Sequence, residues 1–156
     1  MAEETESGTK AQKTITLGEM RESADSGSVQ KFVEFVSGLA RGQRYGEERI
    51  SEIAKASTEA LENIVGHAFR GAGGDIQITC TLDRAERIVL KIVDWGQPFN
   101  MLLAGDPMLK EEYAEQGVPQ PSARFIKKLT DTVEYQRLEN MNYLLLTFSQ
   151  VIKGKR

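Results

Sequence analysis

Residues 47–100 read EERISEIAKASTEALENIVGHAFRGAGGDIQITCTLDRAERIVLKIVDWGQPFN, and a change of period inside this stretch decides the fold. In its first half Ile50, Ile53, Ala54, Ala60, Leu61, Ile64, Val65 and Ala68 recur at three- and four-residue steps, the period of a helix with one apolar stripe. The spacing predicts one long helix from about Glu47 to Phe69, ended by Arg70-Gly71-Ala72-Gly73-Gly74. From there the period falls to two. Ile76, Ile78, Cys80 and Leu82 share one face, while Gln77, Thr79 and Thr81 share the other, so Cys80 reads as a core residue. Asp83 to Glu86 form a turn, and Ile88, Leu90 and Ile92 alternate in a second strand that should pair antiparallel with the first.

Working outward, TITL (Thr14 to Leu17) alternates like a short strand, and Glu19 to Ser28, rich in Ser, Gly and Asp, reads as a loop. Val29, Phe32, Val33, Val36, Leu39 and Ala40 then give a second amphipathic helix up to Gly42. Residues 1–12 are small and polar and read as a disordered tail ahead of one domain over residues 13–156. On the other side, Pro98, Pro107, Pro119 and Pro121 crowd into one segment with Gly96, Gly105 and Gly117, which predicts a long loop of the kind that covers a site. Ser122 to Leu129 read as helical, and strands follow at about Thr132 to Arg137 and Asn142 to Ile152. The order predicts an α+β fold, a two-layer sandwich with helices on one face of a mixed, mostly antiparallel sheet.

Composition narrows the function. Twenty Lys and Arg against 23 Asp and Glu give a net charge of -3, so no basic field exists to attract a nucleic acid. One Cys and one His, Cys80 and His67, supply neither an internal disulfide nor a four-ligand zinc site. The opening MAEETESGTKAQ lacks a basic, then apolar, leader, and no run of about 18 apolar residues occurs, so a soluble, cytoplasmic protein is expected, with no membrane contact.

Two constellations carry chemistry. Glu59, Asn63 and His67, four residues apart, share a helix face beside the apolar stripe, and an Asn and a lone His are unusual on a purely solvated face. Asp94 has the parity of Ile88, Leu90 and Ile92, so its carboxylate should point to the covered side of the sheet. A buried carboxylate needs a donor, either within the protein or on a ligand, and Gly96 two residues on permits close approach to the backbone. Trp95, of opposite parity, is assigned only packing.

These pieces resemble a known family. SEIAKASTEALENIVGHAF resembles the Glu-x-x-x-Asn-x-x-x-His helix of the Bergerat-fold (histidine-kinase-like) ATPases, in the branch of anti-sigma-factor serine kinases related to RsbW and SpoIIAB. IVLKIVDWGQPFN resembles the family's Asp-x-Gly box followed by Pro-Phe, and FIKKLTDTVEYQRLENMNYLLL resembles its closing helix, Asp-x-Val-x-Tyr strand and the Asn that opens the last strand. The resemblance runs in order over about residues 14–152.

It implies that Glu59 is the general base on a substrate hydroxyl. Asn63 would bind the Mg2+ that bridges the ATP phosphates, Asp94 would accept from the adenine amino group, and Gly96 would let the ring lie close. His67 matches a family position at which packing is the expected role. Where the family's lid ends in Gly-x-Gly-Leu, this chain has Gln120, Pro121, Ser122 and Ala123, so part of the phosphate grip should be missing, although amides near Ser122 remain available to an anion. The implied function is an ATP-dependent serine/threonine protein kinase that phosphorylates an anti-anti-sigma antagonist and also binds a sigma factor. Two alternatives stay open: a binding module of the same fold with little or no catalysis, and the ATPase part of a phosphorelay histidine kinase. The oligomeric state, a homodimer included, is also left open.

Overall fold

The computed structural model describes residues 14–69 and 73–154, so the expected tail and the first part of the Arg70–Gly74 stop lie outside the described residues. Strand β1 (Ile15–Ser23) leads into helix α1 (Ser26–Gly42), whose start is capped by Asp25 Oδ1 accepting from Ser28 N at 2.9 Å. Strand β1 is longer than TITL predicts. Its second half, expected as a loop, pairs from Glu19↔Thr79 to Ser23↔Asp75, and it reads polar because it is an edge strand with Glu19 and Arg21 turned to water and Met20 packed on the core.

Helix α2 (Glu47–Asn63) begins where expected but does not run regularly to Phe69. At Ile64–Ala68 it widens into a π-helical turn, closed by Phe69 N donating to Ile64 O at 3.2 Å. Strands β2 (Asp75–Leu82) and β3 (Ile88–Asp94) form the predicted hairpin. Its turn is held by Asp83 Oδ1, which accepts from the amides of Ala85 and Arg87, both at 2.9 Å.

The segment expected as one long loop contains regular structure. A 3-10 turn at Met101–Leu103 is followed by helix α3 (Pro107–Gln116), which opens on Asp106 capping Met108 N with Pro107 in its first turn and closes on Gly117 at φ 70°. Helix α4 (Arg124–Leu129) and strands β4 (Thr132–Leu138) and β5 (Met141–Phe148) complete the chain. The five strands lie in the order β1-β2-β3-β5-β4, and all four ladders are antiparallel, so no parallel pair enters among the described residues.

Helices and sheet bury one apolar core between them, with Phe32, Ile53, Leu61, Ile78, Leu90, Ile92, Leu146 and Phe148 almost fully enclosed. Cys80 belongs to it, and burial pushes its thiol up to about 12, which makes it an inert packing residue as its parity predicts.

The last strand stops short of the expected Ile152 because the following residues are captured by charges. Arg49, on α2 and 0% exposed, donates to Ser149 O, Leu129 O, Glu52 Oε1 and Asp131 Oδ2 at 2.7–3.0 Å. Glu52 then accepts from the amides of Lys153 and Gly154, and Asp131 from the amide of Ser149. No helix among the described residues is long and apolar enough to cross a membrane.

Candidate functional site

At the end of β3, Asp94 faces inward as its parity predicts and is 2% exposed. Its Oδ1 accepts from Gly96 N and from Asn142 Nδ2, both at 2.9 Å. Burial pushes the Asp94 carboxyl above the ordinary aspartate value, and the Asn142 and Gly96 hydrogen bonds and the more distant Arg137 charge only partly oppose it.

Asn142 is the centre of this cluster. Its amide also donates to Gln97 O at 2.9 Å, while its Oδ1 accepts from Tyr135 Oη at 2.5 Å and Phe99 N at 3.3 Å, so both donors and both acceptor positions are used. In the sequence this Asn marks only the start of a strand. The signal was available, since it shares the inward parity of Leu144 and Leu146.

Gly96 meets a need inside the protein. A Cβ there would lie 2.6 Å from Ala68 O, and the neighbouring Gln97 N donates to that same carbonyl at 3.0 Å. The glycine therefore lets the end of β3 close against the π-helical turn, while Arg137 Nη1 holds Gly96 O at 2.8 Å. Trp95 has Arg21 over its ring at 4.4 Å, a packing role as expected.

The second half of the site lies where α2 meets α4. Glu59 Oε2 accepts from Ser122 Oγ at 2.6 Å, and its Oε1 accepts from Ile126 N at 2.9 Å, in the first turn of α4. Asn63 grips the backbone of Ser122 from both sides, donating to Ser122 O at 2.6 Å and accepting from Ser122 N at 3.3 Å. Its Nδ2 also reaches Met101 Sδ at 3.5 Å. His67 stacks on Phe99, with ring centroids 5.1 Å apart, and meets the edge of Tyr113, which is the packing role expected of it.

Glu59, Asn63, His67 and Ser122 share the wall of a cavity of about 820 Å3, together with Lys55 and Gln120. Asp94 and Gly96 are not on that wall. The predicted residues thus form two groups, Glu59-Asn63-Ser122 and Asp94-Gly96, linked by the contacts from His67 to Phe99 and from Phe99 to Asn142.

The residues fit a nucleotide and its metal in kind. Among the described residues no three His, Cys, Asp or Glu gather into a metal cage. A single hard oxygen, Asn63 Oδ1, suits an Mg2+ that keeps its waters and phosphate ligands. Buried Asp94 suits a neutral amino donor, because a hydrogen bond there offsets the desolvation of its charge.

A family model described as a histidine kinase-like ATPase domain matches residues 23–148. Among solved structures, that of the RsbU and RsbW domains of Rv1364c from Mycobacterium tuberculosis is similar over 84% of this chain, with a TM-score of 0.58 and 14% identity. The present chain spans 32% of that chain, and the likeness is one of fold. No curated protein matches the sequence.

Proposed function

The chain belongs to the histidine kinase-like ATPase domain family, and from that premise we propose that it binds Mg·ATP and transfers the γ-phosphoryl group to a serine or threonine hydroxyl. The observation that carries this reading is the 2.6 Å hydrogen bond between Glu59 and a serine hydroxyl, beside Asn63 and on the wall of a cavity of about 820 Å3. A carboxylate that already holds a serine hydroxyl is positioned as the base for a serine acceptor.

ATP supplies the transferable phosphoryl group and Mg2+ screens its charge. Glu59 takes the proton of the acceptor hydroxyl. Asn63 would be the residue that holds the metal, through Oδ1, and to do so it would have to release Ser122 N, its longer contact at 3.3 Å. Asp94 holds the adenine amino group, with Asn142 fixing the carboxylate's direction. Gly96 keeps the strand end that carries Asp94 close to Ala68. Ser122, whose amide lies near the start of α4, would meet the phosphates.

The resemblance further supports an anti-anti-sigma antagonist as the protein substrate and a sigma factor as the second partner. A binding module without transfer is the second reading. It is favoured by Ser122 occupying both Glu59 and Asn63, and by side chains at Gln120 and Ser122 where glycines would let amides close on phosphate.

Calorimetric titration with Mg·ATP, followed by transfer to an antagonist, tests the proposal. Glu59→Ala should bind nucleotide and lose about 100- to 10,000-fold in transfer rate, whereas Asn63→Ala should lose the Mg2+ dependence of binding. Binding without transfer in the wild type would favour the module, and transfer at the wild-type rate by Glu59→Ala would require another base.

A further inference from the structure

We propose that Ser122 is itself a phosphoacceptor, modified within its own chain; this rests on the kinase reading above and names a substrate hydroxyl for it. The geometry is that of a nucleophile on its base, with Ser122 Oγ 2.6 Å from Glu59 Oε2. Both partners are held in place in the nucleotide-free protein, and the Ser122 C=O contact does not compete with a metal on Asn63 Oδ1. Glu59 is oriented by Ile126 N on its other oxygen, and the Ser122 backbone is held through its N–H and its C=O by Asn63. Ser122 is exposed on the wall of the cavity, whose lining also includes Lys55, a cation suited to a triphosphate.

In the step itself, Ser122 Oγ attacks the γ-phosphorus and the new O–P bond forms as the bond from that phosphorus to the β–γ bridging oxygen breaks. ADP leaves with that electron pair, and the Ser122 proton passes to Glu59. Once Glu59 has released that proton to water, the product sets a phosphate of roughly two negative charges against its carboxylate, so the contact that joins the lid to α2 is replaced by repulsion. Modification would therefore release the lid from the base and leave Glu59 open to a second acceptor.

The test incubates the full chain with Mg2+ and γ-labelled ATP at several protein concentrations, locates the phosphate by peptide mass, and measures Mg·ATP binding by calorimetry in parallel. The expected result is one phosphate on Ser122, formed at a rate independent of protein concentration. Ser122→Thr should carry the phosphate as phosphothreonine in the same peptide, and Ser122→Ala should leave that peptide unmodified. Without nucleotide, amide hydrogen exchange over residues 119–126 should be faster in Ser122→Ala than in wild type, which reads the Glu59 contact apart from any transfer.

A wild type that binds Mg·ATP yet leaves Ser122 unmodified, or carries the phosphate on Ser51 or Thr58 of the same cavity, overturns the proposal and leaves the nucleotide reading standing. A rate that rises with protein concentration overturns its intramolecular form. Unchanged exchange in Ser122→Ala removes the contact on which it is built, and a wild type that binds no nucleotide removes both readings.

Discussion

Asn142 stands directly opposite Asp94 across the β3–β5 ladder, and its side-chain amide donates to Asp94 Oδ1 at 2.9 Å. Two polar side chains at inward parity positions would each be costly if left unpaired, and together they satisfy one another. Because Asn142 is in turn tied to Gln97, Phe99 and Tyr135, the pair also anchors the start of the segment that leads from β3 to the lid.

The raised carboxyl of Asp94 has a definite sign for stability. Its folded value lies above its unfolded one, so the native state holds the proton more tightly, and the nucleotide-free protein should gain stability as pH falls from neutral toward the Asp94 titration. In Asp94→Asn an amide oxygen can still accept from Gly96 and Asn142. The variant should match or exceed the wild-type melting temperature at pH 7 and lose that pH slope. It should also bind ATP tenfold or more weakly, since a mismatched buried hydrogen bond costs about 1.5–3 kcal/mol. Equal nucleotide affinity in calorimetry would remove Asp94 from the site.

Much of this was legible in sequence, for reasons that differ by residue. Glu59, Asn63 and His67 follow from helical spacing, and all three reach one cavity even though the helix widens at Ile64. Asp94 follows from strand parity, and the same argument applied to Asn142 finds its partner. Helix α3 was hidden because Pro and Gly density outweighs everything else in a loop reading, although Asp106-Pro107 and Gly117 are start and stop signals for a helix. The π-helical turn depends on whether Phe69 N closes on Ile64 rather than on a nearer carbonyl, which tertiary packing decides. Burial of Arg49 was illegible, because its partners Asp131 and Ser149 lie 82 and 100 residues away.

Arg49 should be among the most sensitive positions for stability. Its removal leaves Glu52 without its cation and Asp131 with only the partly exposed Lys153, 2.7 Å from its other oxygen, a loss of about 3–5 kcal/mol for a broken buried pair. Burial raises both carboxyls, but hydrogen bonds and Arg49 outweigh it, and both end below their ordinary values. Depressed folded values mean that the stabilisation is present at neutral pH and is lost as pH falls through them, on the acid side of the ordinary carboxylate range. Arg49→Met should therefore unfold at lower urea at pH 7, with a gap to wild type that narrows on acidification; a constant gap would mean that lost packing dominates.

Gly96→Ala separates a structural need from a ligand's need. The added methyl would lie 2.6 Å from Ala68 O and 2.9 Å from Ala68 C, both backbone atoms, so the end of β3 and the π-helical turn must part. Overpacking of this kind costs about 1–3 kcal/mol. The melting temperature should fall without nucleotide present, and unchanged melting would show that the close approach is absent in solution.

The lid decides between transfer and binding alone. Gln120 Nε2 donates to Lys110 O at 3.0 Å and Ser122 Oγ to Glu59 at 2.6 Å, so both side chains hold the lid in its present course and keep its backbone from closing further. The proposed adenine contact, Asp94 with Asn142, does not depend on either. Wild type should therefore bind ADP and ATP with similar, modest affinity, because the γ-phosphate gains few amide contacts. Changing Gln120 and Ser122 together to Gly frees Glu59 and lets amides approach the phosphates, which should strengthen ATP binding more than ADP binding and raise transfer to an external acceptor. Four titrations decide it. A tenfold or greater preference for ATP in the wild type, about 1.4 kcal/mol, would show that this lid closes on the γ-phosphate by another route.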